Sequence, residues 1–243
     1  MQKQKLIYLD LILHKKIVQV SNLSIKESIT SIDFFSSLNE EQIEQLSSIS
    51  TLQSYSKEYI MHYERKESES LLFLIHGLAK SYKIDKHDNE IFLYYIYKDS
   101  LLSEISDINS NTLLSFSNIE IVEDSKILSI NYKKFNEYFL KKNLLCLEFA
   151  SEVIKRSEQL QNLVNREFIF DSVAKVAMMI FSDLGMFNKL KRHDIALILH
   201  IQPATLSRVL NRLKRNKIID IMQGKVTIID PLALEKIYLD SRN

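Results

Sequence analysis

The segment 191–215 constrains the fold of this chain more than any other, because it contains two runs of helical periodicity separated by a short break. In the second run, four apolar residues recur at spacings of three, one and three, and this spacing places them on one stripe of a helix. They are Leu206, Val209, Leu210 and Leu213. Pro203 suits the first turn of that helix, where its missing N–H would have no partner anyway. The first run has an apolar side formed by Ile195, Leu197, Ile198 and Leu199. The pattern therefore predicts two short amphipathic helices joined by a tight turn.

The polar face of the second predicted helix is basic. If the apolar stripe is buried, the residues that face solvent or a ligand are Ser207, Arg208, Asn211, Arg212 and Arg215. A helix pair with a basic second helix is typical of the helix-turn-helix motif, whose second helix fits the DNA major groove. An ordinary helical hairpin with a solvated face has the same spacing, so spacing alone leaves both interpretations open.

Charge is distributed very unevenly along the chain. The whole protein carries a formal net charge of +1, yet residues 189–217 contain eight basic residues and one acidic residue, Asp194, and so carry +7. The remainder of the chain sums to −6. A near-neutral protein whose positive charge is concentrated in one segment favours a surface there for a polyanion such as nucleic acid.

Composition excludes several kinds of site. The three glycines, Gly77, Gly185 and Gly224, are too far apart for a glycine-rich phosphate loop. The single cysteine, Cys146, excludes an internal disulfide, a thiolate zinc site and an iron–sulfur cluster held by one chain's cysteines. No nucleophile–base pattern, pair of catalytic carboxylates or metal-ligand spacing emerges, so we expect neither an enzyme nor a metal site. Charged residues interrupt the apolar amino terminus, which predicts no membrane span and no cleavable signal, and we expect a cytoplasmic protein.

Short β-rich runs separated by turn signals dominate the region from Thr51 to about Asn131. The predicted strands are Tyr59–Tyr63, Leu71–Ile75, Ala79–Ile84, Ile91–Tyr97, Leu113–Phe116, Ile119–Val122 and Lys126–Ile130. His76-Gly77 and Glu123-Asp-Ser125 are among the turn signals. Short strands at such regular spacing indicate an antiparallel sandwich or barrel. Ahead of it, residues 4–20 have helical periodicity, and Asn39 with Gln42 resembles the capping box of a helix that runs to about Ser48.

The pattern changes to helix after this region. A short helix is predicted over Tyr132–Leu140, and a longer one begins at about Asn143. Along the longer helix, spacings of three and four alternate through Leu147, Ala150, Ile154, Ser157, Gln161, Val164 and Phe168. This is the seam of a two-stranded coiled coil, although the same face could pack on the chain's own β-rich domain. We therefore expect a dimer interface that includes Leu147, Ala150, Ile154, Gln161 and Val164.

Three further elements are predicted in the remaining third of the chain. Residues 171–184 form an amphipathic pattern that ends at Gly185. Ile218–Met222 and Lys225–Ile229 flank Gln223-Gly224, which predicts a hairpin that would form a wing beside the helix pair. A short helix from Pro231 to Leu239 closes the chain.

The order of these elements, together with four short motifs, resembles the Crp/Fnr family of bacterial transcription regulators from about Ile32 to Leu239. The motifs are Phe34-Phe-Ser-Ser-Leu38, Leu71–Leu78, Ile130-Asn-Tyr-Lys-Lys-Phe135 and, most tellingly, Pro203-Ala-Thr-Leu-Ser-Arg208. The resemblance implies an α+β fold with an N-terminal antiparallel β-roll like that of cyclic-nucleotide-binding domains, a long dimerisation helix and a C-terminal winged helix-turn-helix. The implied domains are a helical extension (1–30), a β-roll sensor (31–140), a dimerisation helix (141–168) and a DNA-binding domain (169–243).

The resemblance also implies which residues contact DNA: Gln202, Thr205, Ser207, Arg208, Asn211 and Arg212. Arg208 occupies the position of an arginine that contacts guanine in the family, and an arginine fork can bond O6 and N7 together. Ser207 matches a position that contributes to base choice, whereas Gln202 and Thr205 lie where the family contacts phosphate. Ala204 stands where many members have a glutamate that accepts from a base amino group. Alanine cannot accept, so the operator need not be the family's common one.

The sensor half departs further from the family. Members that bind cyclic AMP hold its phosphate with a Gly-Glu pair and a downstream Arg-Ser, whereas the corresponding stretches here, Asp99–Glu104 and Leu113–Phe116, lack the glycines and the arginine. No basic residue lies between Lys98 and Lys126, so we do not expect a cyclic nucleotide, although Glu104 keeps the family's ribose-contacting position. Haem stays open as a cofactor by the resemblance, because some family members sense diatomic gases through histidine-ligated haem, and the histidines of the β-rich region are His62, His76 and His87. Cys146 is interpreted as a buried structural thiol.

These inferences predict a homodimeric, sequence-specific DNA-binding regulator that an effector controls through the β-roll. Its expected partners are double-stranded DNA, a second copy of the chain and, by family resemblance, RNA polymerase. Two alternatives stay open: a haem-dependent regulator that senses NO or CO, and a ligand-binding module whose helical tail docks a protein partner.

Overall fold

The computed structural model describes residues 24–240, and its contacts divide the chain into two compact units with the boundary between Ser157 and Glu158. The helix predicted over residues 4–20 lies outside the described residues. Within residues 24–240, no helix is long and apolar enough to cross a membrane.

The amino-terminal unit is built on antiparallel strands, which confirms the predicted fold class. Its strands are β1 (Ser50–Tyr55), β2 (Ile60–His62), β3 (Glu67–Ser68), β4 (Ser70–Ile84), β5 (Glu90–Tyr97), β6 (Ser100–Leu101), β7 (Leu113–Leu114) and β8 (Asn118–Asn131). The main sheet has the order β1-β8-β4-β5, with β2 also paired to β8 and β6 to β4, while β3 and β7 form a separate ladder. Its helices are α1 (Ile25–Thr30), α2 (Glu40–Ser48) and α3 (Tyr132–Tyr138). The predicted capping box starts α2, with reciprocal bonds of 2.9 Å between Asn39 and Gln42.

Two of the predicted turns are instead irregular points within long strands. β4 runs through His76-Gly77 and β8 runs through Glu123-Asp-Ser125, and the two segments lie opposite each other where the register shifts. Gly77 has a φ of +101°, and a Cβ on it would lie only 2.1 Å from Ser125 Oγ. The glycine therefore marks a bulge where two backbones approach closely, because its missing side chain permits both the dihedral and the contact.

The largest core cluster of this unit combines aliphatic side chains with several phenylalanines. It contains Phe34, Phe35, Phe73, Phe135 and Phe149, all buried. Phe149 comes from the long helix α4 (Cys146–Val164), whose first turns therefore have one face in this core. A single π-helical turn, Asn165–Ile169, follows α4.

The carboxy-terminal unit is a helical domain with a two-stranded wing, as predicted. Its elements are α5 (Ser172–Ser182), α6 (Leu184–Lys189), α7 (Arg192–Ile198), α8 (Pro203–Arg215), β9 (Ile219–Met222), β10 (Lys225–Ile228) and α9 (Pro231–Asp240). One core joins all the helices to the wing, with buried contributions that include Ile180, Phe187, Ile195, Leu210 and Val226.

Two local predictions in this unit are wrong. Asp183, not Gly185, separates the helices: its φ of −151° ends α5, and its carboxylate accepts from the Met186 amide at 2.9 Å to start α6. Leu197 does not join the apolar side of α7, since its side chain is 59% exposed while Ala196 is buried. An unbroken apolar run does not fix which of its members face the core, and the small alanine fills that place here.

Candidate nucleic-acid interface

Helix α8 has a buried apolar face and an exposed polar face. The four residues of its predicted apolar stripe are all buried: Leu206, Val209, Leu210 and Leu213. Pro203 occupies the first turn, as the sequence predicts, and Gln202 is the N-cap. Because the stripe is buried, Gln202, Ser207, Arg208, Asn211 and Arg212 are exposed, and Thr205 is half-buried. The structure thus brings all six residues predicted to contact DNA onto one helix and its N-cap.

Side chains in the first turns of α8 bond along the helix. Ser207 Oγ donates to the Pro203 carbonyl at 3.1 Å. Arg208 Nε donates to the Ala204 carbonyl at 3.4 Å, and Arg208 Nη2 donates to Thr205 Oγ1 at 3.1 Å. A groove of about 350 Å³ beside this face is lined in part by Asp171, Thr205, Arg208 and Arg212.

The basic residues of the segment 189–217 differ in what they contact. Arg192 donates from Nη2 to the Gly224 carbonyl in the wing at 2.8 Å, and its guanidinium lies 5.0 Å from the Phe187 ring centroid. Burial lowers the pKa of Arg192 from its usual range. Lys214 pairs with Asp220 at 2.8 Å, and its hydrogen bond lowers the pKa of that carboxyl. Arg192 and Lys214 therefore connect the helix pair to the wing, whereas Arg212 and Arg215 are exposed on α8.

The turn between α7 and α8 is held from two directions. His200 has a left-handed φ of +51°, and its Nδ1 lies 2.7 Å from Glu167 Oε2 in the π-helical turn. Burial opposes ionisation of Glu167, but hydrogen bonds from His200 and Arg166 outweigh it, so the pKa of Glu167 lies below its usual value. Lys175 of α5 donates to the Leu199 carbonyl at 3.3 Å. These contacts connect the turn to the π-helical turn and to α5.

The predicted dimer seam is uncovered in the single chain. All five predicted interface residues are exposed, with Leu147 at 82%, Ile154 at 59% and Val164 at 48%. The buried side of α4 is a different one: it contains Glu152 and Phe149, and Phe149 packs in the core of the β-rich unit. Val153 and Leu160, both about half exposed, directly precede two seam positions, and the heptad spacing alone missed them.

A polar cluster that the sequence did not predict lies inside the β-rich unit. Glu104 accepts hydrogen bonds from the amides of Phe116 and Ser117 and, at 2.9 Å, from Ser117 Oγ. Arg156 of α4 donates to the Leu101 carbonyl, and its guanidinium lies 4.9 Å from the Tyr94 ring centroid. No local pattern marks Arg156, because its partners are more than fifty residues away in sequence.

The histidines and the cysteine of this unit lie in different environments. His62 is buried, and burial lowers its pKa, with a smaller opposing effect from Glu104. His76 and His87 are exposed. Cys146 is exposed as well, so its interpretation as a buried thiol is wrong: it opens α4 on the solvent side. Across residues 24–240, no three His, Cys, Asp or Glu side chains are grouped so that they could hold a metal ion.

Comparison with known proteins identifies the carboxy-terminal domain and the fold. Residues 179–237 match the Crp-like helix-turn-helix domain. No curated protein sequence matches the chain significantly. The chain has the fold of a CooA mutant from Carboxydothermus hydrogenoformans, at 16% identity over 92% of this chain and 98% of that one, with a TM-score of 0.64.

Two further solved structures agree with this fold. A transcriptional regulator of the Crp/Fnr family from Eubacterium rectale is 18% identical over 86% of this chain and 98% of its own, with a TM-score of 0.62. FixK2 from Bradyrhizobium japonicum is 15% identical over 78% and 97% of the two chains, with a TM-score of 0.59.

Proposed function

We propose that this chain, a Crp/Fnr-type transcription regulator by its helix-turn-helix domain and its fold, acts as a homodimer on near-palindromic DNA. One α8 from each subunit enters the major groove, and the half-sites lie about one helical turn apart. The exposed polar face of α8, held on a buried apolar stripe, is the observation that carries the proposal. At the operator, the dimer contacts RNA polymerase, as its family resemblance implies.

Arg208 is the proposed reader of a guanine. We expect Arg208→Ala to weaken binding to the best operator by about 1–3 kcal/mol and to relax base preference at one position. Arg212→Ala is the matched control on the same helix: we expect it to weaken all duplexes alike and to reduce the salt slope by about one. Equal operator affinity for the wild type and Arg208→Ala would refute the assignment.

Salt dependence separates DNA binding from the docking of a protein partner. A protein that displaces counterions from phosphates binds DNA more weakly as salt rises, with a linear slope of log affinity against log salt. We expect a steep slope for the full chain on its operator. Retention of no duplex at low salt would favour the alternative, a ligand-binding module with a protein partner.

The uncovered face of α4 supports the homodimer. A row of exposed apolar side chains on a long helix, next to a face that is already packed, is suited to an identical helix. We expect Ile154→Asp to convert the dimer to a monomer in sedimentation velocity and to remove operator binding. Asn162→Asp, on the same helix but outside the seam, adds the same charge and should stay dimeric. A dimeric Ile154→Asp protein would refute this interface.

The β-roll is the proposed sensor, and its polar cluster argues against cyclic AMP as the effector. The Glu104 carboxylate already accepts from the Phe116 and Ser117 amides, so a phosphate at these amides would have to displace it. Arg156 links the β-roll to α4 and so provides a path by which an effector could act on the dimer helix. We expect cyclic AMP to produce no heat in titration calorimetry and no change in operator affinity. Saturable binding of cyclic AMP would contradict this.

A further inference from the structure

One edge of the Arg208 guanidinium is hydrogen-bonded to the preceding turn of α8. Its Nε bonds to the Ala204 carbonyl and its Nη2 bonds to the Thr205 hydroxyl. A guanidinium carries five N–H donors in a planar fork, and these two bonds use two of them. The remaining donors on Nη1 and Nη2 form the edge that can bond guanine O6 and N7 together.

From this geometry we infer that Thr205 is a positioning residue for Arg208, which sets base preference, and not a contact to the DNA backbone. The inference rests on the proposed function of Arg208 as a base reader. It also reassigns Thr205, for which the family resemblance implies a phosphate contact.

Two features make Thr205 suited to this role. Thr205 lies three residues before Arg208, and side chains at this spacing are neighbours on a helix. Ala204, which lies four residues before Arg208, has no side chain that could accept a hydrogen bond in its place. Thr205 is half-buried and β-branched, so few rotamers are open to its hydroxyl. A long arginine side chain loses much rotamer freedom when it docks, and a partner that holds it beforehand reduces that loss.

The test is a set of four operators that differ only at the base pair whose preference Arg208→Ala relaxes. We expect Thr205→Val, which keeps the side-chain volume, to reduce the preference for the best base about threefold to tenfold. This is the fold-change that corresponds to the net free energy of one hydrogen bond. Its affinity for the three other operators and for nonspecific DNA should equal that of the wild type. Thr205→Ser keeps the hydroxyl and should restore most of the preference. In an Arg208→Ala background, Thr205→Val should have no further effect, because the partner it positions is absent.

Other outcomes would overturn the inference. If Thr205→Val weakens all duplexes by the same factor and keeps the base preference, Thr205 contacts phosphate. Wild-type binding by Thr205→Val, with Arg208→Ala still defective, would mean that Arg208 needs no positioning partner. A wild-type protein that selects no operator at all would refute the proposed function itself. Thermal unfolding of each variant checks that the domain remains folded.

Discussion

Arg192 lies in the basic segment 189–217, and its substitution tests whether its main role is to stabilise the wing or to contact DNA. Its hydrogen bond to Gly224, as a bond from a charged group, stabilises by about 1.5–3 kcal/mol, and its contact with the Phe187 ring adds about 0.5–2 kcal/mol. Its Nη1 is buried and has no hydrogen-bond partner among the described residues, which offsets part of this by about 1–3 kcal/mol. The midpoints of these ranges leave a net stabilisation of about 1.5 kcal/mol, so we expect Arg192→Ala to destabilise the wing by about 1–2 kcal/mol.

The consequence should be local, because a second anchor holds the same wing. Asn188 bonds the Val226 backbone in both directions, with Nδ2 donating at 2.8 Å and Oδ1 accepting at 2.7 Å. Hydrogen exchange of peptides from β9 and β10 in the full chain measures wing opening. A loss of 1–2 kcal/mol should raise exchange about fivefold to thirtyfold. Lys191→Ala, one residue earlier and exposed, removes the same charge and should leave exchange unchanged.

The contrary hypothesis is that Arg192 contacts a phosphate. In that case Arg192→Ala would leave wing exchange unchanged, and the slope of log affinity against log salt would become shallower by about one. That pair of results would refute the structural role of Arg192.

Three further substitutions test the packing and the ionisation described above. Burial lowers the pKa of His62 in the folded protein, so the contribution of the neutral imidazole to stability is complete above its ordinary pKa of 6.5 and is lost as the pH falls below 6.5. His62→Gln should therefore flatten the pH dependence of thermal unfolding below pH 6.5. Gly77→Ala should destabilise in urea by more than Gly224→Ala, since both have positive φ but only the Cβ at Gly77 meets backbone atoms, within 3 Å. Leu213→Ala should cost about 2–5 kcal/mol of unfolding free energy and Leu197→Ala less than about 0.5, because only Leu213 is buried.

The sequence predicted best those features that depend on neighbouring residues. The stripe of α8 follows from its spacing, and the wing follows from Gln223-Gly224, both of which adopt the positive φ that such a turn requires. The bulge at Gly77 could not be distinguished from a turn, because a glycine signal is the same in both and only the opposite strand decides. Arg156 has no local signal of any kind, since its role depends on Tyr94 and Leu101 in distant strands.

The same distinction applies to the charge that first indicated a polyanion site. A net charge of +7 over residues 189–217 indicates a positive electrostatic potential around the segment. It does not tell which side chains would reach DNA. Arg192 and Lys214 donate hydrogen bonds to backbone carbonyls of the wing, whereas Arg212 and Arg215 are exposed on α8. Because Arg192 and Lys214 bond the helix pair to the wing, we expect positive charge here both to attract a polyanion and to fix the surface that would receive it.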